Sequence, residues 1–234
     1  ILDALADARD CRTWVLELSS FQLESTASLR TEAAAVLNVT PNHLDRYPSL
    51  FAYAASKEHI FDGALRQVLN RDDVWSAAMQ RTGVGTTTFG TGLPAADNDY
   101  GVAATAVHGN LMRGAEILMP AAELGVTGAH NVQNALAAMA VVDSLPVARP
   151  HCQRVLREFR GMPHRCQAVA DVGGVRVIDD SKATTIVATV AALDGLATPT
   201  WLIAGGDGKG QDFRELVPAA ARHPVPEGRR HRGT

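Results

Sequence analysis

Apolar residues along the chain fall into short continuous runs separated by longer amphipathic stretches. Trp14, Val15, Leu16 and Leu18 form such a run, broken by one acid, Glu17, and ending at Ser19-Ser20. This pattern predicts a buried strand followed by a turn. Ala33 to Val39 (AAAVLNV) predicts a second buried parallel strand, because strands covered on both faces read as near-continuous apolar runs. A loop from Thr40 to Arg46 follows, then a helix from Tyr47-Pro48-Ser49 to about Phe61 that carries Lys57. Val68-Leu69-Asn70 predicts a short strand stopped by Arg71-Asp72-Asp73, followed by a helix. Thr86 to Gly90 predicts another strand, and residues 91–99 a loop. Tyr100 to Val107 and Leu111 to Met119 predict a hairpin joined by His108-Gly109-Asn110, with a third extended piece over Ala121 to Val126.

His130-Asn131-Val132-Gln133-Asn134 opens an apolar helix over Ala135 to Val142, and a second helix covers Arg149 to Phe159. Arg160-Gly161-Met162-Pro163 is a natural hinge, since Gly and Pro punctuate a chain. Beyond it a ribbon, Cys166 to Ala170 and Val175 to Ile178, turns at Gly173-Gly174. The loop 179–184, with Ser181 or Thr184 as cap, leads into a helix to Leu193. A strand at Trp201 to Ala204, a Gly-rich loop at 205–210 and a helix near Phe213 to Ala221 complete the pattern. Strands alternating with helices give an α/β class with mostly parallel sheets. Ile1 to Arg9 is helix-like. The chain starts without Met, and residues 223–234 are rich in Pro, Arg, His and Gly, so a piece of a longer protein with a disordered or out-of-frame tail is expected.

A hydrophobic fraction of 46% over 234 residues supports a packed core, and a net charge of −3 gives no drive toward nucleic acid. Cys11, Cys152 and Cys166 lack paired spacing, which suits a reducing compartment and offers neither a disulfide framework nor a zinc site. No apolar run approaches the about 18 residues of a membrane span. A cytoplasmic monomer without membrane or nucleic-acid partners is expected.

The candidate chemistry gathers where strands end, because ligands of open α/β sheets bind beyond the carboxyl ends of the strands. Glu17 sits at such an end. A lone carboxylate is costly to desolvate, so it should have cationic or hydrogen-bonding partners, unless it reaches solvent. His43 and Asp45 lie past the second strand, and Lys57 one helix further on. Mg²⁺ takes only one or two protein oxygens and fills its sphere with phosphate and water, a sparse pattern that Glu17 fits. His43 is a second ligand or phosphate group, or a plain loop histidine. Lys57 is a site cation or a solvated helix lysine. Beyond the hinge, His164-Arg165 can grip phosphate, Arg with two parallel hydrogen bonds. Asp180 to Thr184 bridges a strand end and a helix start, which attracts anions or merely caps the helix. Gly205 to Lys209 is not a nucleotide P-loop, because Gly210 follows Lys209 where Ser or Thr is needed.

Six stretches, in order, resemble the Mur ligase family. They are Leu16 to Glu24 (LELSSFQLE), Asn38 to Tyr47 (NVTPNHLDRY), Gly128 to Ala135 (GAHNVQNA), Gly161 to Arg165 (GMPHR), Asp179 to Thr184 (DDSKAT) and Gly205 to Lys209 (GGDGK). The resemblance implies a central Mur-ligase ATP-binding domain over residues 1–160 without its P-loop segment. It also implies the start of a Rossmann-like closing domain over 161–222, with 223–234 as tail. It implies ATP-dependent joining of D-glutamate to UDP-N-acetylmuramoyl-L-alanine through an acyl phosphate, in peptidoglycan precursor synthesis. Glu17 and His43 become Mg²⁺ ligands. Lys57 matches a lysine that is carbamylated and so turned into an oxygen ligand. Asn131 and Asn134 become adenine-side contacts of ATP. His164 and Arg165 become ATP contacts of the closing domain, Arg165 at phosphate, and Asp180 falls at the ribose. Lys182, Thr184 and Lys209 become the pocket for the D-glutamate carboxylates. Thr185 departs from the family's Asn. With the amino-terminal UDP-binding domain and the P-loop lysine missing, inactivity of this piece alone is expected. The alternatives are another Mur ligase or a folylpolyglutamate synthase, against which Leu-Ser-Ser-Phe-Gln argues, and a non-catalytic remnant that holds nucleotide.

Overall fold

The computed structural model describes residues 7, 10–104, 106, 108–196, 198–208 and 211–224. The helix expected over Ile1 to Arg9 lies, apart from Asp7, outside the described residues, as do Lys209 and the tail beyond Pro224.

A six-stranded sheet dominates, with strands in chain order: β1 (Ala34–Val36), β2 (Arg66–Asn70), β3 (Gly85–Phe89), β4 (Tyr100–Ala103), β5 (Asn110–Arg113) and β6 (Glu116–Pro120). The β1–β2, β2–β3 and β3–β4 pairs are parallel, and β4–β5–β6 is antiparallel. The α/β expectation therefore holds. The connection from β1 to β2 is α2 (Leu50–Glu58) with a 3₁₀ turn at His59–Phe61, preceded in the chain by a short α1 (Ser20–Glu24). The connection from β2 to β3 is α3 (Val74–Ala78). Two longer helices follow the sheet, α4 (Ala129–Val142) and α5 (Arg149–Glu158).

Neighbouring residues of β2 explain why both faces are covered. Val68 belongs to the core under α4, with Phe89, Tyr100, Leu111 and Leu136. Leu69 belongs to the core under α2, with Val36, Tyr53 and Phe61. A strand whose alternate side chains meet a helix layer on each side must be apolar throughout, and Val68 and Leu69 are 0% and 1% exposed. The carboxyl end of β1 is fixed by polar groups. Ser76 Oγ donates to the Val36 carbonyl at 2.7 Å and accepts from the Asn70 amide at 2.8 Å. Asn70 Nδ2 donates to the Leu37 carbonyl at 2.8 Å.

Beyond α5 lie a two-stranded antiparallel ribbon, β7 (Gln167–Val172) and β8 (Val175–Asp179), then α6 (Ile186–Asp194) and α7 (Leu216–Ala221). The ribbon turns where expected: Gly173 and Gly174 have φ of 59° and 78°, the pair of positive values that a type I′ hairpin needs.

Several expectations fail. Residues 11–19 form no strand, and Val15 is 89% exposed. Their letters suit a buried strand, but among the described residues no strand pairs with them, and β1 has β2 as its single strand neighbour. The Trp201 to Ala204 strand fails for the same reason: it is unpaired, and Ile203 is 98% exposed. Leu111 to Met119 is two strands, because the chain reverses at Gly114-Ala115. The extended piece expected after it is partly a 3₁₀ turn, Ala121–Glu123. The α6 cap is Thr185, whose hydroxyl accepts from the Ala188 amide, rather than Ser181 or Thr184. Since Asn caps helices as well as Thr does, this role suits either residue.

Ser76→Ala should destabilise the chain by about 2–3 kcal/mol in urea unfolding, because it strands a buried carbonyl and a buried amide together. Ile117→Ala, on an exposed side chain of β6, should stay within about 0.5 kcal/mol of the parent.

Candidate functional site

The loop past β1 is built around His43. Its φ of 55° is left-handed, which is uncommon for a residue with a Cβ. The turn is closed by the Arg46 and Tyr47 amides, which both donate to the His43 carbonyl at 3.0 Å. Tyr47 is buried, and its ring lies 5.2 Å from that of Tyr53 on α2. Tyr53 is 6% exposed and belongs to the core, yet its ring reaches the site side as well. His43 meets it edge-on at 6.1 Å, and Lys57, one helical turn on, places Nζ 4.9 Å from its centroid. His43 and Lys57 are therefore gathered around one ring.

Ahead of that ring sits α1, which opens with a capping box. Ser19 Oγ accepts from the Gln22 amide, and Gln22 Oε1 accepts from the Ser19 amide at 2.8 Å. Phe21 of α1 lies edge-on to His43 at 5.0 Å and stacks on Tyr47 at 6.1 Å. Glu17 precedes α1 by three residues and is exposed. The partners expected for its carboxylate are absent among the described residues, because an exposed carboxylate is solvated by water and needs none. Lys57 likewise has no carboxylate partner among the described residues. No three His, Cys, Asp or Glu side chains among the described residues cluster closely enough to hold a metal by themselves.

The start of α4 is fastened to the same sheet edge. Gly128 precedes it at φ 102°, a conformation that favours glycine. Gln133 Nε2 donates to Asp72, past the end of β2, at 3.1 Å, and Thr91, past the end of β3, donates to the same carboxylate through amide and hydroxyl. Burial pushes the Asp72 carboxyl up, but these donors outweigh it and hold the group below its ordinary value. Asn131 and Asn134 stand three residues apart near the start of this helix, on either side of Gln133 in sequence. Asn131 Nδ2 donates to the Thr127 carbonyl at 2.7 Å.

The residues beyond the hinge form a second group. His164, with φ 64°, pairs its Nδ1 with Asp179 Oδ2 at 2.7 Å and accepts the Lys182 amide on its carbonyl at 3.1 Å. The Cys166 amide donates to Asp180 Oδ1 at 3.0 Å. Burial, reinforced by Asp180, pushes the Cys166 thiol up to about 11. Arg165 and the Lys182 and Thr184 side chains stand on exposed residues of these two loops. Gln211 clasps the start of α6, donating to the Thr184 carbonyl at 3.3 Å and accepting the Ile186 amide at 2.8 Å. His130 lies in the first turn of α4. Burial depresses its pKa while the Asp180 charge acts the other way. Sequence reading missed Tyr53, Asp179, Asp72 and Glu24. Tyr53 stands four residues before Lys57 and Asp179 directly precedes Asp180, so both carried a local signal, whereas Asp72 and Glu24 are defined by partners far along the chain.

Comparison with known proteins gives a consistent result. Residues 2–142 match the family model described as the Mur ligase middle domain. A "UDP-N-acetylmuramoylalanine--D-glutamate ligase" of Methylobacillus flagellatus is 50% identical over 95% of this chain and 49% of its own. The solved UDP-N-acetylmuramoyl-L-alanyl-D-glutamate–2,6-diaminopimelate ligase is 22% identical at a TM-score of 0.59, over 89% of this chain and 46% of its own. UDP-N-acetylmuramate-alanine ligase of Thermotoga maritima is 25% identical at a TM-score of 0.56, over 76% and 40%. The chain spans about half the length of the curated relatives it matches.

The His164 imidazole and the Ser181 amide hold the Asp179 carboxyl down at about 2, against an ordinary 3.8. A depressed carboxylate stabilises the fold above its unfolded value, so the loop contact is fully present above pH about 4 and is lost as pH falls toward 2. His164→Ala should move the Asp179 midpoint, followed by carboxyl-carbon NMR, back toward 3.8. An unmoved midpoint would assign the depression to the backbone alone.

Proposed function

From its membership of the Mur ligase family, to which the chain belongs, we propose that it carries the nucleotide-handling centre of an ATP-dependent ligase joining D-glutamate to UDP-N-acetylmuramoyl-L-alanine. The observation that carries this reading is 50% identity, over 95% of the chain, to a relative bearing that activity in its name. Residues 1–160 are the central domain and 161–222 the start of the domain that closes on it, with Gly161 at the hinge. The setting is cytoplasmic, and the protein acts as a monomer. Among the described residues no helix is long and apolar enough to cross a membrane.

In this reaction the muramoyl-alanine carboxylate takes the γ-phosphoryl group of ATP and becomes an acyl phosphate. The amine of D-glutamate then attacks its carbonyl, and phosphate leaves as the amide forms. The barrier is mostly crowding between anions, so positioning and electrostatics supply the catalysis. Glu17 and His43 are the side chains that would hold Mg²⁺, with Lys57 as its carbamate. A sparse set of one carboxylate and one imidazole fits an ion that leaves most of its sphere to phosphate and water. Lys57 fits the modification because no carboxylate among the described residues pairs with its Nζ, so the carbamate would form without displacing an ion-pair partner. Mg²⁺, when bound, neutralises charge shared between the triphosphate and the attacking carboxylate. Asn131 and Asn134 hold the adenine side, and His164, Arg165 and Asp180 meet the nucleotide from the closing domain, Arg165 at phosphate and Asp180 at ribose. Lys182, Thr184 and Lys209 receive the carboxylates of D-glutamate.

In the intact protein that contains this chain, phosphate release should require ATP, UDP-N-acetylmuramoyl-L-alanine and D-glutamate together. Lys57→Ala should lower it by about 10²-fold or more, the scale of losing one preorganised electrostatic group. It should also remove the carbamate carbon signal obtained with ¹³C-bicarbonate. Equal release with another amino acid in place of D-glutamate would refute the substrate assignment.

A further inference from the structure

We infer that Glu24 is the positioning residue for His43, fixing the imidazole from 19 positions away in the chain; its functional weight rests on the proposed role of His43 at the nucleotide. Glu24 ends α1 and touches none of the groups assigned to ligand, but it grips the His43 turn from behind. Arg46 Nη2 donates to Glu24 Oε2 at 2.5 Å, and the Tyr47 hydroxyl donates to Glu24 Oε1 at 2.7 Å. The amides of those same two residues close the turn on the His43 carbonyl. One carboxylate therefore ties down both residues whose backbone defines the conformation of His43.

The arrangement is doubled through aromatic contacts. The Arg46 guanidinium covers the Phe21 ring at 4.9 Å, and the edge of that ring meets His43. Arg46 is thus clamped between two residues of α1, and α1 is itself held by its capping box. A non-glycine residue at φ 55° persists only where its surroundings over-determine it, and Glu24 supplies that constraint. The motifs LELSSFQLE and NVTPNHLDRY are joined by this carboxylate, which explains an acid and an Arg-Tyr pair that the proposed reaction does not itself use.

The test uses the intact protein that contains this chain, with ¹³C-labelled histidine and Mn²⁺·ATP as the probe. In the parent, the His43 ring signal should be displaced by the Phe21 and Tyr53 rings and broadened as Mn²⁺·ATP is added. Glu24→Ala should move that signal to the position of a free histidine and raise the half-broadening concentration about tenfold or more, the scale seen when the group behind a ligand is removed. Glu24→Gln, which keeps the shape and one acceptor, should fall between. Asp62→Asn breaks a separate ion pair with Arg81 and should leave the His43 signal in place. A parent-like ring shift in Glu24→Ala overturns the proposal, and should that variant not fold, a parent-like shift in Glu24→Gln does so. A parent signal that Mn²⁺·ATP does not broaden refutes the ligand role of His43, while the ring shift, measured without metal, still decides the role of Glu24.

Discussion

The ring of Tyr53 is the place where core and site become one structure. It belongs to the core cluster that contains Val36, Phe61 and Leu69, and it also receives His43 and Lys57. A ring that is 6% exposed cannot shift without disturbing the layer under α2, because protein interiors are close-packed. Two side chains drawn from separate elements, one from a loop and one from a helix, therefore inherit the rigidity of the sheet. Such rigidity is what electrostatic catalysis requires, since its benefit comes from groups fixed before the reaction begins.

The sheet supplies the frame for this ring. Parallel strands bring their carboxyl ends to one edge, so the loops after β1, β2 and β3 lie side by side. Polar anchors keep that edge in place: Ser76 and Asn70 under the β1 end, and Asp72 between Thr91 and Gln133. The α4 helix is thereby fastened to the edge through Gln133. Loops 161–166 and 179–185 are bound to each other by His164–Asp179 and Cys166–Asp180.

Much of this was legible in the sequence, and the failures share a cause. Apolar runs located β1 and β2, and Gly173-Gly174 located the ribbon turn, because those signals are local. Trp14 to Leu18 and Trp201 to Ala204 have the same composition as true strands, yet pairing decides strand formation, and pairing depends on what lies alongside. On spacing alone His43 and Lys57 were site groups or a plain loop histidine and a solvated helix lysine; the family resemblance singled them out, and Tyr53 brings their side chains together. Glu24 was invisible because its partners, Arg46 and Tyr47, are 22 and 23 residues away. Thr185 was passed over as cap because Ser181 and Thr184 carry equally good hydroxyls, and only the backbone geometry distinguishes them. Motif resemblance supplied what the local letters lacked, and the family match over residues 2–142 agrees with it.

The central proposal is that Glu17, His43 and Lys57 share one metal–nucleotide site. Anomalous diffraction from crystals of the intact protein grown with Mn²⁺ and a non-hydrolysable ATP analogue tests it most directly. The account predicts manganese density within ligating distance of Glu17 or His43, with a carbamate on Lys57 beside it. Manganese bound to the triphosphate with all three side chains out of reach would contradict it.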